Sequence, residues 1–404
     1  MRGVGRLARP LQHWDRPSAG KAAFIVSKTP IGFEPPRAQA WQRKLLLALA
    51  AAAVLGLGAW QWLRPAAASG GNAVRTVNIA AIAHPFQGQQ IYSGLTGVII
   101  RDGWLKAELA KRGVELAFTP VPTAVGGPLI NEGFSGKRID FASYGDFPAV
   151  IAVAGGVPLK LVAPLAQGQE TYIVVRNGLQ AASIADLKGK RIALHRGRPW
   201  ELPFSKLLDA NGLKFSDFTI VNINPSATPA ALSSGSVDAA VLLADGLLAQ
   251  ERGIGKILWS TKQAPRDWKM RAELFGRADF VNDNPQLTQL VVDAYLRAAA
   301  WSAQDANRDQ VIKDSSRGSL PINVVVNDLD PRISWRDRYL PYYDDALRSH
   351  YRSVTEYALK RGLVREKVDA DALLDDRFVQ QGLKDLDLAK FWSAAEPAAA
   401  QGNS

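Results

Sequence analysis

The sequence predicts an α/β protein with two doubly wound lobes, joined by crossover hinge strands and followed by a helical C-terminal part. Its 404 residues exceed what one ordinary hydrophobic core organises, which indicates two domains. From residue 74 onward, short β-branched runs alternate with short helical patterns, as in parallel sheets that carry helices on both faces. An apolar fraction of 47% with 22% charged residues is typical of a folded globular protein.

Residues 74–170 are predicted to form the first lobe. Residues 74–80 alternate between apolar and polar side chains, as expected of a strand with one buried face. Further strands are expected at 114–118, 139–142 and 159–163, with helical segments between them. The helical patterns are long enough to cover a sheet on both sides.

Residues 171–276 repeat this alternation and are predicted to form the second lobe. Strands are expected at 171–175, 191–194, 218–221 and 237–242. Two crossover strands, near 171–175 and near 273–280, are expected to act as the hinge between the lobes. Residues 277–404 are mostly helical and are expected to return to the first lobe.

The N-terminal 68 residues differ from the rest in charge and hydropathy. Residues 1–44 carry nine basic and two acidic groups without periodicity, which predicts a disordered basic leader. Residues 45–63 are uncharged and nearly long enough to cross a bilayer as a helix. Because Arg43 and Lys44 directly precede this run, 45–68 is interpreted as a cleavable signal peptide or an uncleaved membrane anchor, with a buried core helix as the third alternative. Either of the first two interpretations places the following chain outside the cytoplasm, in the periplasm.

The net charge of +11 belongs mainly to this leader. Once the leader and Arg64 are set aside, the remaining 340 residues carry only about +3. The folded part therefore predicts no nucleic-acid partner.

The residue types needed for most enzyme chemistry are missing or scattered. The chain has no cysteine, which excludes disulfides and thiolate metal sites, and its four histidines lie far apart. No nucleophile elbow and no phosphate-binding glycine loop occur. The sequence predicts no catalytic residue, no metal site and no cofactor.

Five short blocks, taken together, resemble one family. They are 139–148, 154–160, 184–193, 210–213 and 234–239. In order and spacing they resemble the aliphatic sulfonate, taurine and nitrate binding proteins of ABC importers. The resemblance implies a type II periplasmic binding protein that captures a small organic anion, most simply a sulfonate, and delivers it to ABC permease and ATPase subunits.

The resemblance leaves alternatives open. They are a membrane-anchored sensory or scaffold domain, and binding of nitrate or of a thiamine or pyrimidine precursor. Relatives that synthesise pyrimidine precursors use a cysteine-containing segment, which this chain lacks. The resemblance thus implies a binding protein and not an enzyme.

Loops that follow strands supply the candidate ligand contacts, because ligands of open α/β sheets lie beyond the carboxyl ends of strands, where helix N-termini offer free N–H groups. The first loop contributes His84, Phe86 and Gln87, and the second Ser143, Tyr144, Gly145 and Asp146. The third contributes His195, Gly197, Arg198 and Trp200, and Asp245 follows the last strand of the second lobe.

Each assignment has a structural alternative. Asp146 suits a helix N-cap, Arg198 can point to solvent, and His84 and His195 can be packing residues. The third loop also departs from the family, whose sulfonate binders carry small hydroxyl residues where Arg198, Pro199 and Trp200 stand. A guanidinium can bind a sulfonate through two hydrogen bonds, so Arg198 is the predicted anion contact, with Trp200 stacking on the organic tail.

Overall fold

The structure, a computed structural model, describes residues 74–317 and 320–393. The predicted leader and the apolar run 45–68 lie outside these residues. Among the helices within 74–317 and 320–393, none is long and apolar enough to cross a membrane.

Eleven strands occur in the described residues. They are β1 (Thr76–Phe86), β2 (Gln89–Tyr92), β3 (Glu115–Pro122), β4 (Phe141–Gly145), β5 (Leu159–Gln169), β6 (Tyr172–Arg176), β7 (Arg191–Ala193), β8 (Thr219–Val221), β9 (Ala239–Leu242), β10 (Gly255–Ser260) and β11 (Met270–Arg277).

Helices fill the connections and most of the C-terminal part. Up to the last strand they are α1 (Gly94–Asp102), α2 (Trp104–Ala110), α3 (Gly127–Ser135), α4 (Asp146–Ala154), α5 (Glu201–Ala210), α6 (Thr228–Ser233) and α7 (Asp245–Glu251). After it come α8 (Ala278–Asp283), α9 (Pro285–Ser302), α10 (Arg308–Ser316), α11 (Ile322–Asp328), α12 (Asp345–Lys360), α13 (Ala370–Leu373), α14 (Arg377–Asp385) and α15 (Ala389–Ser393).

The first sheet has the strand order β2-β1-β4-β11-β5, with β3 on the other side of β1. β1 is parallel to β3 and β4, whereas β11 runs antiparallel between β4 and β5. Both faces are covered: Val77 and Ile79 belong to one buried cluster, with α9, and Ala142 and Phe275 to the other, with α12. This arrangement is the predicted doubly wound lobe.

The second sheet has the order β10-β6-β9-β7-β8 and also carries a buried cluster on each face. β6, β7, β8 and β9 are the four strands predicted there, whereas β10 was not predicted. β11 does not belong to this sheet, although the sequence assigned residues up to 276 to the second lobe. Leu274 and Phe275 of β11 enter the two opposite clusters of the first sheet, so this strand fills the space between β4 and β5.

Two crossovers connect the sheets, from Gln169 to Tyr172 and from Ser260 to Met270. The hinge was predicted near 171–175 and near 273–280, which are the strands that these two crossovers enter: 172–175 pairs within β6 and 273–277 within β11, whereas 278–280 begins α8.

A buried ion cluster joins the two crossovers. Lys269 of the second crossover forms a salt bridge with Glu170 of the first, and its Nζ lies 2.9 Å from Asp330 Oδ2. All three side chains are almost completely buried, with 2% exposure for Lys269. The cluster holds both crossovers and the C-terminal segment together.

Candidate functional site

The first predicted ligand loop is a β-hairpin. β1 continues through Phe86, and a two-residue turn at Gln87 and Gly88, both with positive φ, leads into β2. Two positive φ values in succession are typical of a type I′ turn, which matches the twist of paired strands. Phe86 and Gln87 are exposed in this hairpin, whereas His84 is half-buried further back in β1.

The second predicted loop separates into core and cleft residues by strand alternation. Tyr144 is buried in the core, with its hydroxyl donating to Asn131 Oδ1 at 3.2 Å and its ring edge-on to Phe275. Ser143 and Gly145 point to the opposite face of β4. A Cβ atom added to Gly145 would lie 2.4 Å from Pro199 Cγ, so this glycine contacts the second lobe directly.

Asp146 is also turned away from the cleft. It is 1% exposed, and its Oδ2 lies 2.6 Å from His350 Nε2. The sequence analysis assigned no role to His350, which lies 204 residues from Asp146 along the chain. Asp146 is therefore a buried pairing residue and not a cleft residue.

The third loop, between β7 and α5, contains a buried positive charge. Arg198 is only 5% exposed, so it does not point to solvent. Its Nη1 donates to Val125 O at 2.8 Å and its Nη2 to Thr123 O at 3.0 Å. Both acceptors lie in the first lobe, which makes Arg198 a direct link between the lobes.

No carboxylate of the residues that the structure describes forms a salt bridge with Arg198. Burial lowers the pKa of its guanidinium to about 10, so it remains protonated at neutral pH. A buried cation is normally paired with an anion, because desolvation of an isolated charge is costly. The positive charge of Arg198 is thus available to an anion from outside the chain.

Three buried nitrogen atoms around this charge make no hydrogen bond within 74–317 and 320–393. They are Nδ1 of His195, Nε of Arg198 and Nε1 of Trp200. The guanidinium carbon of Arg198 lies 4.9 Å from the centre of the Trp200 ring, and the rings of His195 and Trp200 are 6.4 Å apart. Each unsatisfied buried donor costs about 1–3 kcal/mol, which an acceptor would recover. Since Arg198 lies over Trp200, that ring face is not available to stack on a ligand tail.

Gly197 and its neighbour Arg196 bind within their own loop. The Gly197 amide donates to Glu201 Oε2 at 2.7 Å, and Arg196 Nε donates to Glu201 Oε1 at 2.9 Å. The predicted use of the Gly197 amide for an anion conflicts with this bond, because the Glu201 carboxylate already accepts from it.

His84 and Asp245 face each other across the two lobes. Burial lowers the pKa of His84 and raises that of Asp245, and the charge of each partly offsets the shift of the other. His84 Nδ1 also lies 3.4 Å from Thr123 Oγ1, which connects it to the segment that receives Arg198. These two predicted residues therefore belong to the same cleft as the third loop.

Residues 123–126, between β3 and α3, belong to the cleft but were not predicted. Besides the two bonds from Arg198, Ala124 O accepts a hydrogen bond of 3.1 Å from Asn224 of the second lobe. A Cβ atom on Gly126 would lie 1.7 Å from Arg198 Nη1, so only glycine leaves room for the guanidinium. The rule that ligand loops follow parallel strands points to this segment, since β3 ends at Pro122.

Possible metal ligands are not clustered among the described residues. Within 74–317 and 320–393, no group of three or more His, Cys, Asp or Glu side chains could hold a metal ion. The cleft offers hydrogen-bond donors and a positive charge, which suit an anion.

Comparison with known proteins gives one family and a consistent set of relatives. The family model described as NMT1/THI5 like matches residues 110–308. A putative aliphatic sulfonates-binding protein of Bacillus subtilis is 22% identical over 297 residues, which cover 70% of this chain and 83% of the relative.

Solved structures show the same similarity. A putative periplasmic sulfonate-binding protein of a sulfonate ABC transporter from Methylobacillus flagellatus is 44% identical, with a TM-score of 0.71 over 79% of this chain and 96% of its own. A desulfurization enzyme is 17% identical, with a TM-score of 0.58 over 77% and 99%, and so shares the fold alone. Together with the two sheets and crossovers described above, these likenesses confirm the predicted two-lobed binding-protein fold.

Proposed function

Because the chain belongs to the family of aliphatic sulfonate-binding proteins of ABC importers, we propose that it captures an organic sulfonate between its lobes and presents it to a permease and ATPase. The family predicted from the sequence blocks is thereby confirmed. The identity of the ligand and the periplasmic location of this chain form part of the proposal. They are supported by the relatives' names and by the apolar run 45–63.

One observation carries the choice of an anion: the buried guanidinium of Arg198 has no carboxylate partner among the described residues. Its charge lies between the lobes, where a ligand would be enclosed. A sulfonate brings a permanent negative charge to this position without needing to lose a proton. Pairing the two charges offsets the desolvation of both.

The oxygen atoms of a sulfonate also match the donors of this loop in number. Three sulfonate oxygens can accept from Nε of Arg198, from Nε1 of Trp200 and from Nδ1 of His195 when that nitrogen carries a proton. Capture then needs no reaction, and the residues of the cleft bind and orient the ligand. We therefore propose a binding protein and not an enzyme, in keeping with an absence of cysteine over the whole chain.

Nitrate, a carboxylate or a thiamine or pyrimidine precursor would compete for the same donors. A thermal-shift screen of alkyl and aryl sulfonates, nitrate and carboxylates separates these ligands. A ligand at 100 times its dissociation constant adds about 2.7 kcal/mol to the free energy of unfolding. A response to sulfonates alone supports the proposal, and a response to nitrate alone contradicts it.

Replacing Arg198 by lysine tests the role of its guanidinium. Lysine keeps the positive charge, but its single ammonium group cannot donate to both carbonyls of the first lobe and also replace the Nε donor of arginine. We expect Arg198→Lys to weaken sulfonate binding by about tenfold to a hundredfold, since bonds to charged groups contribute about 1.5–3 kcal/mol. Isothermal titration calorimetry measures the affinity.

The matched control is Arg196→Lys. Arg196 lies in the same loop, 41% exposed, and pairs with Glu201 of its own lobe. We expect it to change the affinity less than threefold, which is about 0.7 kcal/mol. Equal effects of the two variants would show that Arg198 has no special role.

A further inference from the structure

A second cavity lies on the hinge side of the molecule, beside the edge strand β5. Its volume is about 500 Å³, within the range of small-molecule sites. Its lining comes from the end of β5, from the second crossover and the start of β11, from residues between 333 and 346, and from His350 and Trp392. None of the cleft residues described above contributes to its wall.

The walls of this cavity carry charges of both signs. The crossover contributes Arg266, Asp267 and Lys269, and the start of β11 contributes Arg271. The C-terminal segment contributes Asp337 and Asp344. Lys269 is paired within the ion cluster of the hinge and Arg271 forms a salt bridge with Glu273, whereas Arg266 forms no salt bridge with any residue that the structure describes.

Arg271 is held rigidly with one nitrogen left over. Its Nε donates to Glu273 Oε1 at 2.7 Å and its Nη1 to Gln167 Oε1 at 3.0 Å. Nη2 makes no hydrogen bond with any residue that the structure describes. A guanidinium fixed at two corners is preorganised to donate from the third.

Two further groups at the wall lack partners in the described residues. Nε1 of Trp392 is buried and makes no hydrogen bond, and the side chain is 2% exposed. The Asp337 carboxylate, which is half-buried, accepts no hydrogen bond and forms no salt bridge within the same residues. The cavity thus has Nη2 of Arg271 on one side and a carboxylate on another, and the unsatisfied Nε1 of Trp392 is buried within a residue of its wall.

We propose that this cavity binds a small zwitterion, with its anionic group on Arg271 and Trp392 and its ammonium group on Asp337. A simple anion would meet the repulsion of the carboxylates, and a simple cation that of the arginines. A zwitterion can place its anionic group near the arginines and its ammonium group near the carboxylates at the same time. The proposal does not depend on which ligand the cleft binds.

The indole N–H of Trp392 reports directly on this site. In a ¹H–¹⁵N spectrum of the full chain, the signal is assigned by its loss in Trp392→Phe. We expect 2-aminoethanesulfonate to shift it, and ethanesulfonate, which lacks only the amine, to leave it unchanged. Asp337→Asn should weaken the response to 2-aminoethanesulfonate by about tenfold to a hundredfold, since it removes a charge-assisted bond.

The cleft variant Arg198→Lys serves as the control. Because 2-aminoethanesulfonate is also a sulfonate, cleft binding alone could disturb distant signals. Retention of the Trp392 response in Arg198→Lys, with its loss in Asp337→Asn, supports a second site. An unmoved signal, equal responses to both compounds, or a response that disappears only with Arg198→Lys overturns the proposal.

Discussion

Closure of the lobes depends on the space at Gly145, which a single methyl group would fill. The backbone of Gly145, with φ −74° and ψ 158°, is acceptable to alanine. All three atoms that an added Cβ would meet belong to Pro199 of the other lobe, at 2.4, 3.4 and 3.7 Å. The proline ring cannot rotate away. Gly145→Ala should therefore oppose closure without straining the first lobe itself.

The expected loss of affinity follows from the overlap between the added methyl group and Pro199. Cγ of Pro199 must move by about 1 Å to reach ordinary van der Waals distance, and overpacking of this kind costs typically about 1–3 kcal/mol. If the cost falls on the closed form alone, ligand affinity decreases by about fivefold to 150-fold. The melting temperature of the ligand-free protein should change little.

Calorimetry on Gly145→Ala, Pro199→Ala and the double variant measures this coupling. Pro199→Ala removes Cγ and should restore most of the affinity lost in Gly145→Ala. Small-angle scattering with saturating ligand should show a larger radius of gyration for Gly145→Ala than for the wild type. Wild-type affinity in Gly145→Ala, or failure of the double variant to recover, would refute the closed contact of these two residues.

Two further predictions concern pH and the hinge. Burial and the charge of Arg198 lower the pKa of His195, while burial raises that of Asp245, so acidification adds positive and removes negative charge in the cleft. Anion affinity should therefore rise as the pH falls. The part of this rise that comes from protonation of His195 should appear below pH 6.5 and be absent in His195→Gln. Calorimetry that shows an unchanged or falling affinity contradicts this prediction. Lys269→Met leaves the two buried carboxylates of the hinge cluster without their shared cation and should lower the free energy of unfolding by about 3–5 kcal/mol in urea titrations. Lys206→Met, which breaks a partly exposed pair, should cost less than about 1 kcal/mol, and similar losses in both variants would count against the hinge cluster.

The sequence predicted the two lobes because short, mainly apolar strand segments alternate there with helical segments. The prediction from sequence was wrong where a single residue determines the direction of the backbone. The segment 91–112 reads as one amphipathic helix, yet Gly103, with φ +72°, ends α1 and starts α2. The hairpin at Gln87 was missed because its strand, Gln89–Tyr92, is short and largely polar. β11 was assigned to the wrong lobe because burial on both faces does not indicate which sheet a strand joins.

The cleft was predicted in outline and not in detail. The strand-end rule identified the loop of Arg198 and the position of Asp245, and it points to residues 123–126 as well. It could not show that Tyr144 faces the core, since that depends on the register of β4 against β11. Nor could it show that Arg198 binds main-chain carbonyls. Every residue has such a carbonyl, so the type of side chain does not indicate which one accepts the bond.

The donors around Arg198 have almost no contact with solvent while the lobes touch. A ligand therefore cannot reach or leave them directly, and exchange must pass through an opened form. Release then requires the two bonds to Thr123 and Val125 to break in addition to the ligand's own contacts. A membrane partner that separates these two bonds would therefore speed the release of every ligand, whatever its affinity.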